Sequence, residues 1–128
     1  MTSAAQRSPV VATREYATSD GRNVLATLFL PVETPLKEWI CEFVISGLPS
    51  EIRGQGRGID SLQALTIAIE GLDVQLRSCS EALVWDEQEV GDTGLPRYYP
   101  SGFGLEVEGR LVEVVRQELT RLVKAKRG

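Results

Sequence analysis

The stretch "RGQGRGIDSLQAL", residues 53 to 65, sets three glycines on alternate positions beside two arginines, just ahead of a helical pattern. Such a stretch could hold an anion. A helix N-terminus presents unpaired N–H groups and partial positive charge, glycines let the backbone come close to a ligand, and Arg53 and Arg57 add charge. The spacing is G-x-G-x-G, however, which matches neither the dinucleotide fingerprint nor the P-loop. Asp60 stands where an N-cap belongs, with Gln63 three residues on to complete a capping box. A carboxylate there satisfies the free donors and repels a phosphate. The stretch therefore predicts a flexible loop feeding a capped helix. Any anion would be held by Arg53 and Arg57, not by a cradle of amides.

A second group of residues capable of chemistry lies in "WDEQEVGDTGLPRYYPSGFG". Asp86, Glu87, Glu89 and Asp92 supply oxygen ligands of the kind a hard cation uses, or a carboxylate pair for hydrolysis. They do not follow the calcium-loop pattern, and the expectation is a solvated strand end with no metal. Arg97, Tyr98, Tyr99 and Phe103 follow in a glycine- and proline-rich setting, where they either cover the end of the core or offer contact area to a partner. Histidine is absent from the chain, which removes the commonest general base and every His-dependent nucleophile arrangement. No catalytic residue, metal site or cofactor is assigned.

The elements that must position these residues follow from periodicity. The 128 residues suit one compact domain, with residues 1 to 9 a flexible terminus and 10 to 128 a single α+β domain. "VVATREYATSDGRNVLATLFLP" reads as a hairpin turned by Asp20-Gly21, with Val24, Ala26, Leu28 and Leu30 on one face. "EWICEFVIS" alternates as a strand, and "GLPSEIRGQGRG" as a long loop of turn residues. From Asp60 the period becomes helical, with Leu62, Leu65, Ile69, Leu72 and Leu76 on one stripe. "SEALVWDEQ" is a further strand. A long helix then runs from about Leu105 to Lys126, with Leu111, Val115, Leu119 and Leu122 as its stripe, widened by Val112 and Val123. The order β-β-β-α-β-α predicts an antiparallel sheet of about four strands with two helices packed on one face.

The net charge of -4 argues against a nucleic-acid surface, which needs clustered cations. The one basic run, at the C-terminus, suits the negative end of a helix dipole. No apolar run is long enough to span a bilayer, and no signal-peptide core is seen in the first residues. Cys41 and Cys79 are too few for a disulfide scaffold and read as reduced thiols, Cys41 in the core. A cytoplasmic location is expected.

"RGIDSLQALTIAI" together with "LVWDEQEVGDTGLP" resembles an uncharacterised bacterial domain family of unknown function, with a G-x-D-S-x-Q-A-L helix start and a W…G-D-x-G-L-P turn, over residues 38 to 97. The resemblance implies a small α+β domain and assigns no activity. The leading expectation is a non-enzymatic binding or protein-interaction module, forming a homodimer through the C-terminal helix or meeting an unknown protein partner. One alternative is a small-molecule or anion-binding protein, with or without enzymatic activity. Its site would lie between the two glycine-rich loops, lined by Arg53, Arg57, Asp60, Asp92, Arg97 and Tyr98. Another is an immunity-type inhibitor of a toxin, whose acidity would steer a basic partner.

Overall fold

The computed structural model describes residues 8–96 and 104–127. Strands β1 (Val10–Thr18) and β2 (Asn23–Phe29) form the expected hairpin, paired from Ala17↔Asn23 to Val10↔Phe29. Gly21 takes the positive φ of the turn, at 84°, and donates its N–H to the Thr18 carbonyl at 3.0 Å. Before β1, the Pro9 carbonyl accepts the Leu30 N–H at 2.8 Å, so the chain is already tied to the sheet there. Val24, Ala26 and Leu28 face the core, opposite Tyr16, Arg14 and Ala12. Pro31 interrupts the ladder, and a two-residue strand β3 (Val32–Glu33) resumes it. Strand β4 (Trp39–Ser46) pairs antiparallel with β2 and β3, and sends Cys41, Phe43 and Ile45 into the core.

The stretch predicted as a glycine-rich loop is a strand. Strand β5 (Ile52–Gly58) pairs antiparallel with β4 without a break, from Ile52↔Ile45 to Gly58↔Trp39. Glycine is a poor strand former, and that is why the pattern reads as a loop. The pleat explains the glycines. Alternate side chains point to opposite faces, so Gly54, Gly56 and Gly58 share the face that meets α1 (Ser61–Arg77). A Cβ on Gly56 would overlap the backbone of Ala64 and Ala68. One on Gly58 would overlap the Ala64 N–H, and one on Gly54 the ring of Phe43. The glycines thus form a smooth track on which the helix and the Phe43 ring lie against bare backbone. Arg53, Gln55 and Arg57 take the opposite, exposed face.

Helix α1 begins as the sequence requires. Asp60 is the N-cap, its carboxylate accepting the Gln63 N–H at 2.8 Å. The Gln63 side chain accepts the Ile59 N–H at 2.8 Å, one residue earlier than in a standard capping box. Ala64, Ala68, Leu72 and Leu76 are buried. Leu65 and Ile69 pack against the same core, but Leu62, expected on the stripe, is largely exposed. The sheet order is β5-β4-β2-β1-β6, with β3 beside β4 in line with β2. The last strand, β6 (Leu83–Val84), is only two residues long, so the sheet has more strands than the four expected, two of them very short. The contacts divide the chain into two compact units, Met1–Pro96 and Arg97–Gly128. Of the two helices expected to cover one face, α1 does so. Helix α2 (Leu105–Arg127) belongs to the second unit and none of its residues is buried. Ion pairs run along its surface: Glu106 with Arg110 at 3.7 Å and Glu113 with Arg116 at 2.6 Å. No described helix is long and apolar enough to cross a membrane.

Cys41 is buried, as expected, and its thiol donates to the Phe29 carbonyl at 3.2 Å. Burial pushes that thiol up to about 11, with the neighbouring Glu42 carboxylate adding to the shift. The thiolate is the reactive form. Iodoacetamide at mildly alkaline pH should therefore label the folded chain once, at the partly exposed Cys79, and Cys41 only after unfolding. Intact mass before and after denaturation reads the outcome, and a doubly labelled native chain would contradict this packing.

Candidate functional site

Two places collect polar side chains. The first is the exposed face of β5 and the start of α1. Arg57 pairs with Glu38 at 2.6 Å and Arg53 with Glu51 at 2.8 Å. All four side chains are substantially exposed, so each pair contributes under about 1 kcal/mol and exchanges readily for another partner. A shallow cavity of about 400 Å³ lies here, lined by Leu36, Lys37, Arg57, Ile59 and Gln63 among others. The Asp60 carboxylate takes the Gln63 N–H and the Gln63 side chain takes the Ile59 N–H, and the negative charge of Asp60 at this helix end repels a phosphate.

The second place is the loop after β6. Trp85 to Gln88 close a tight turn, Gln88 N–H to Trp85 carbonyl at 2.8 Å, with positive φ at both Asp86 and Glu87. Asp92 accepts the Gly94 N–H at 2.9 Å, the local turn that this residue type favours. Thr93 is the anchor. Its hydroxyl donates to Asp73 of α1 at 2.5 Å, and its carbonyl accepts the Tyr16 hydroxyl at 2.7 Å. Arg14 donates to the Gly94 carbonyl at 2.9 Å and stacks on the Trp85 ring, 4.0 Å from its centroid. Gly94 has φ 68° and lies so close to Trp85 that a Cβ would enter the indole. Arg77 adds a 2.9 Å bond to the second oxygen of Asp73. Burial holds the Tyr16 hydroxyl above its ordinary range, although the Arg14 guanidinium beside it pulls the other way, so the group remains a donor. A cavity of about 260 Å³ opens beside this node, lined by Tyr16, Leu76, Arg77, Cys79 and Thr93 among others.

The family model described as Domain of unknown function (DUF6968) matches residues 12–97, more than half of the chain. The chain belongs to the DUF6968 family. The match runs from within β1 through β6 and takes in both polar places, whereas α2 lies beyond it. No curated protein and no solved structure matches the chain.

Within this DUF6968 domain the expected site residues separate. Arg57 and Asp60 lie near each other where β5 meets α1, and Arg53 stands at the other end of β5. Asp92 lies beyond the other side of the sheet, by β1 and β6. Three strand spacings separate β5 from β1, about 14 Å in all. Among the described residues, the two glycine-rich stretches therefore do not line a common pocket. Arg97 and Tyr98, like Tyr99 and Phe103, fall outside the described residues. The node around Thr93 brings in residues that periodicity does not select: Arg14, Tyr16, Asp73 and Thr93. One signal was available. Asp73 sits between Leu72 and Leu76 on the side of α1 that faces the core, and a buried carboxylate requires a partner.

Proposed function

We propose that the protein is a non-enzymatic interaction module that pairs with a second copy of itself through α2. The observation that carries this reading is the state of that helix. Val112, Val115, Leu119 and Leu122 recur at steps of three, four and three, the spacing of a coiled-coil seam. They run along a rod of 23 residues, about 35 Å long, yet Leu119 is 60% and Leu122 50% exposed. An amphipathic helix of this kind is stable when its stripe is covered. A second copy always offers the same stripe, and two-fold pairing is the commonest way to cover it. The charges flanking the seam are held in place by pairs within the helix, Arg116 with Glu113 and Arg121 with Glu118. Binding rather than catalysis is favoured because Arg53, Arg57, Asp60, Asp73, Asp92 and Thr93 are engaged in caps, ion pairs and loop anchors. Two free thiols suit a reducing, cytoplasmic setting.

Light scattering coupled to size exclusion tests the pairing. The expected mass is twice that of the chain. Leu119→Glu with Leu122→Glu should weaken association by about a hundredfold or more, because it buries charge in an apolar seam, and leave a folded monomer. A wild-type chain that remains monomeric at every concentration overturns the reading.

A further inference from the structure

Strand β5 ends the sheet. Among the described residues it pairs with β4 alone, and its other edge carries the alternate N–H and C=O groups that such a strand leaves unpaired. Helix α1 lies along this strand: Gln63 and Ala64 stand over Gly58, Ala64 and Ala68 over Gly56, and Gly71 beside the Phe43 ring that covers Gly54. Leu72, Leu65 and Leu76 point from α1 toward the middle of the sheet. At 100° per residue, the row on the other side of Ala64 and Ala68 is Gln63, Ile67, Glu70 and Val74. That row overhangs the free edge. Ile67 is 39% and Val74 48% exposed there. On the opposite face of the sheet, Arg53 and Arg57 stand on the same edge, about 13 Å apart.

We infer that the β5 edge is a strand-addition site for an extended peptide whose residues alternate apolar and acidic. The backbone ladder supplies the pairing. Side chains opposite Gly54 and Gly56 turn toward α1, where Ile67 and Val74 form an apolar flank. The carboxylate of Glu70 in that row adds a reason for apolar residues there. Side chains on the other face meet Arg53 and Arg57, so carboxylates four residues apart in the partner match the two guanidinium groups, displacing the weak pairs with Glu51 and Glu38. A second copy's β5 is a poor occupant. Its inward positions are glycine, and the two-fold register about Gln55 sets Arg53 against Arg57, a repulsive cross-strand pair. The arginines thus discourage self-pairing while selecting an acidic strand. This reading does not rest on pairing through α2, and a monomeric chain that binds the peptide leaves it intact.

The test uses the full chain and a labelled peptide, Val-Glu-Val-Thr-Val-Glu-Val, with Val-Lys-Val-Thr-Val-Lys-Val as the control. Fluorescence anisotropy is expected to show saturable binding of the acidic peptide only, and amide exchange to slow across Ile52–Gly58. Arg53→Glu with Arg57→Glu, both at exposed positions, should weaken the acidic peptide by about tenfold or more and favour the lysine one. Ile67→Glu with Val74→Glu should weaken it without altering fold, as checked by circular dichroism. No binding, binding indifferent to the charge reversal, or protection that maps elsewhere each overturns the proposal. The first of these would leave the arginines as guards of the edge alone.

Discussion

Gly56→Ala is expected to cost the domain about 3 kcal/mol or more of folding stability. The added methyl group meets the Ala64 carbonyl oxygen and the Ala68 N–H and Cα. These are helix backbone atoms, which cannot rotate aside as a side chain can, so α1 would have to lift off β5 as a body. Against a total stability of about 5 to 15 kcal/mol for a small domain, that is a large share. Urea unfolding followed by circular dichroism measures it. Two other glycines serve as internal comparisons. At Gly54 the obstacle is the Phe43 ring, which has freedom to turn, so alanine there should cost less. At Gly109, on α2, nothing stands within reach of a Cβ, and alanine should gain up to about 1 kcal/mol of helix propensity. Wild-type stability in Gly56→Ala would refute the close seat of α1 on β5.

Asp73→Ala is the second large effect, expected at about 3 kcal/mol. Asp73 is 3% exposed and holds Thr93 with one oxygen and Arg77 with the other. Removing it leaves the buried Thr93 hydroxyl without that acceptor, at about 1 to 3 kcal/mol, and opens a cavity beside Leu72 and Leu76. The Arg77 side chain is 44% exposed and regains water, so the charge lost from its pair adds little. Asp73→Asn keeps an oxygen for the Thr93 hydroxyl and should cost about 1 kcal/mol. The loop should report the difference as well as the global fold. Without its anchor the segment from Asp86 to Pro96 would exchange its amides faster and expose Trp85, shifting its fluorescence to longer wavelength. Equal stability of the two variants would mean that the carboxylate does not hold the loop.

The sequence settles elements whose causes are local. Asp20-Gly21 specifies the β1–β2 turn because glycine reaches positive φ without cost. Asp60 and Gln63 specify the start of α1 because their side chains reach amides only three or four positions away. Alternation places Cys41, Phe43 and Ile45 in the core, and steps of three and four place Leu72 and Leu76 there, because pleat and helix pitch impose those periods on any chain that buries one face.

Tertiary contact decides the rest. "RGQGRG" is a strand only because α1 and Phe43 require bare backbone beneath them, and both lie outside that stretch in the sequence. No local preference signals that need; taken alone, the glycines point to a loop. The Thr93 anchor joins Tyr16 and Thr93 across 77 positions, and Thr93 and Asp73 across 20. No period links residues so far apart. The separation of Arg57 from Asp92 likewise follows from strand order, which places β4, β2 and β1 in between. Periodicity shows which face of an element is buried; which element it is buried against depends on contacts between distant parts of the chain.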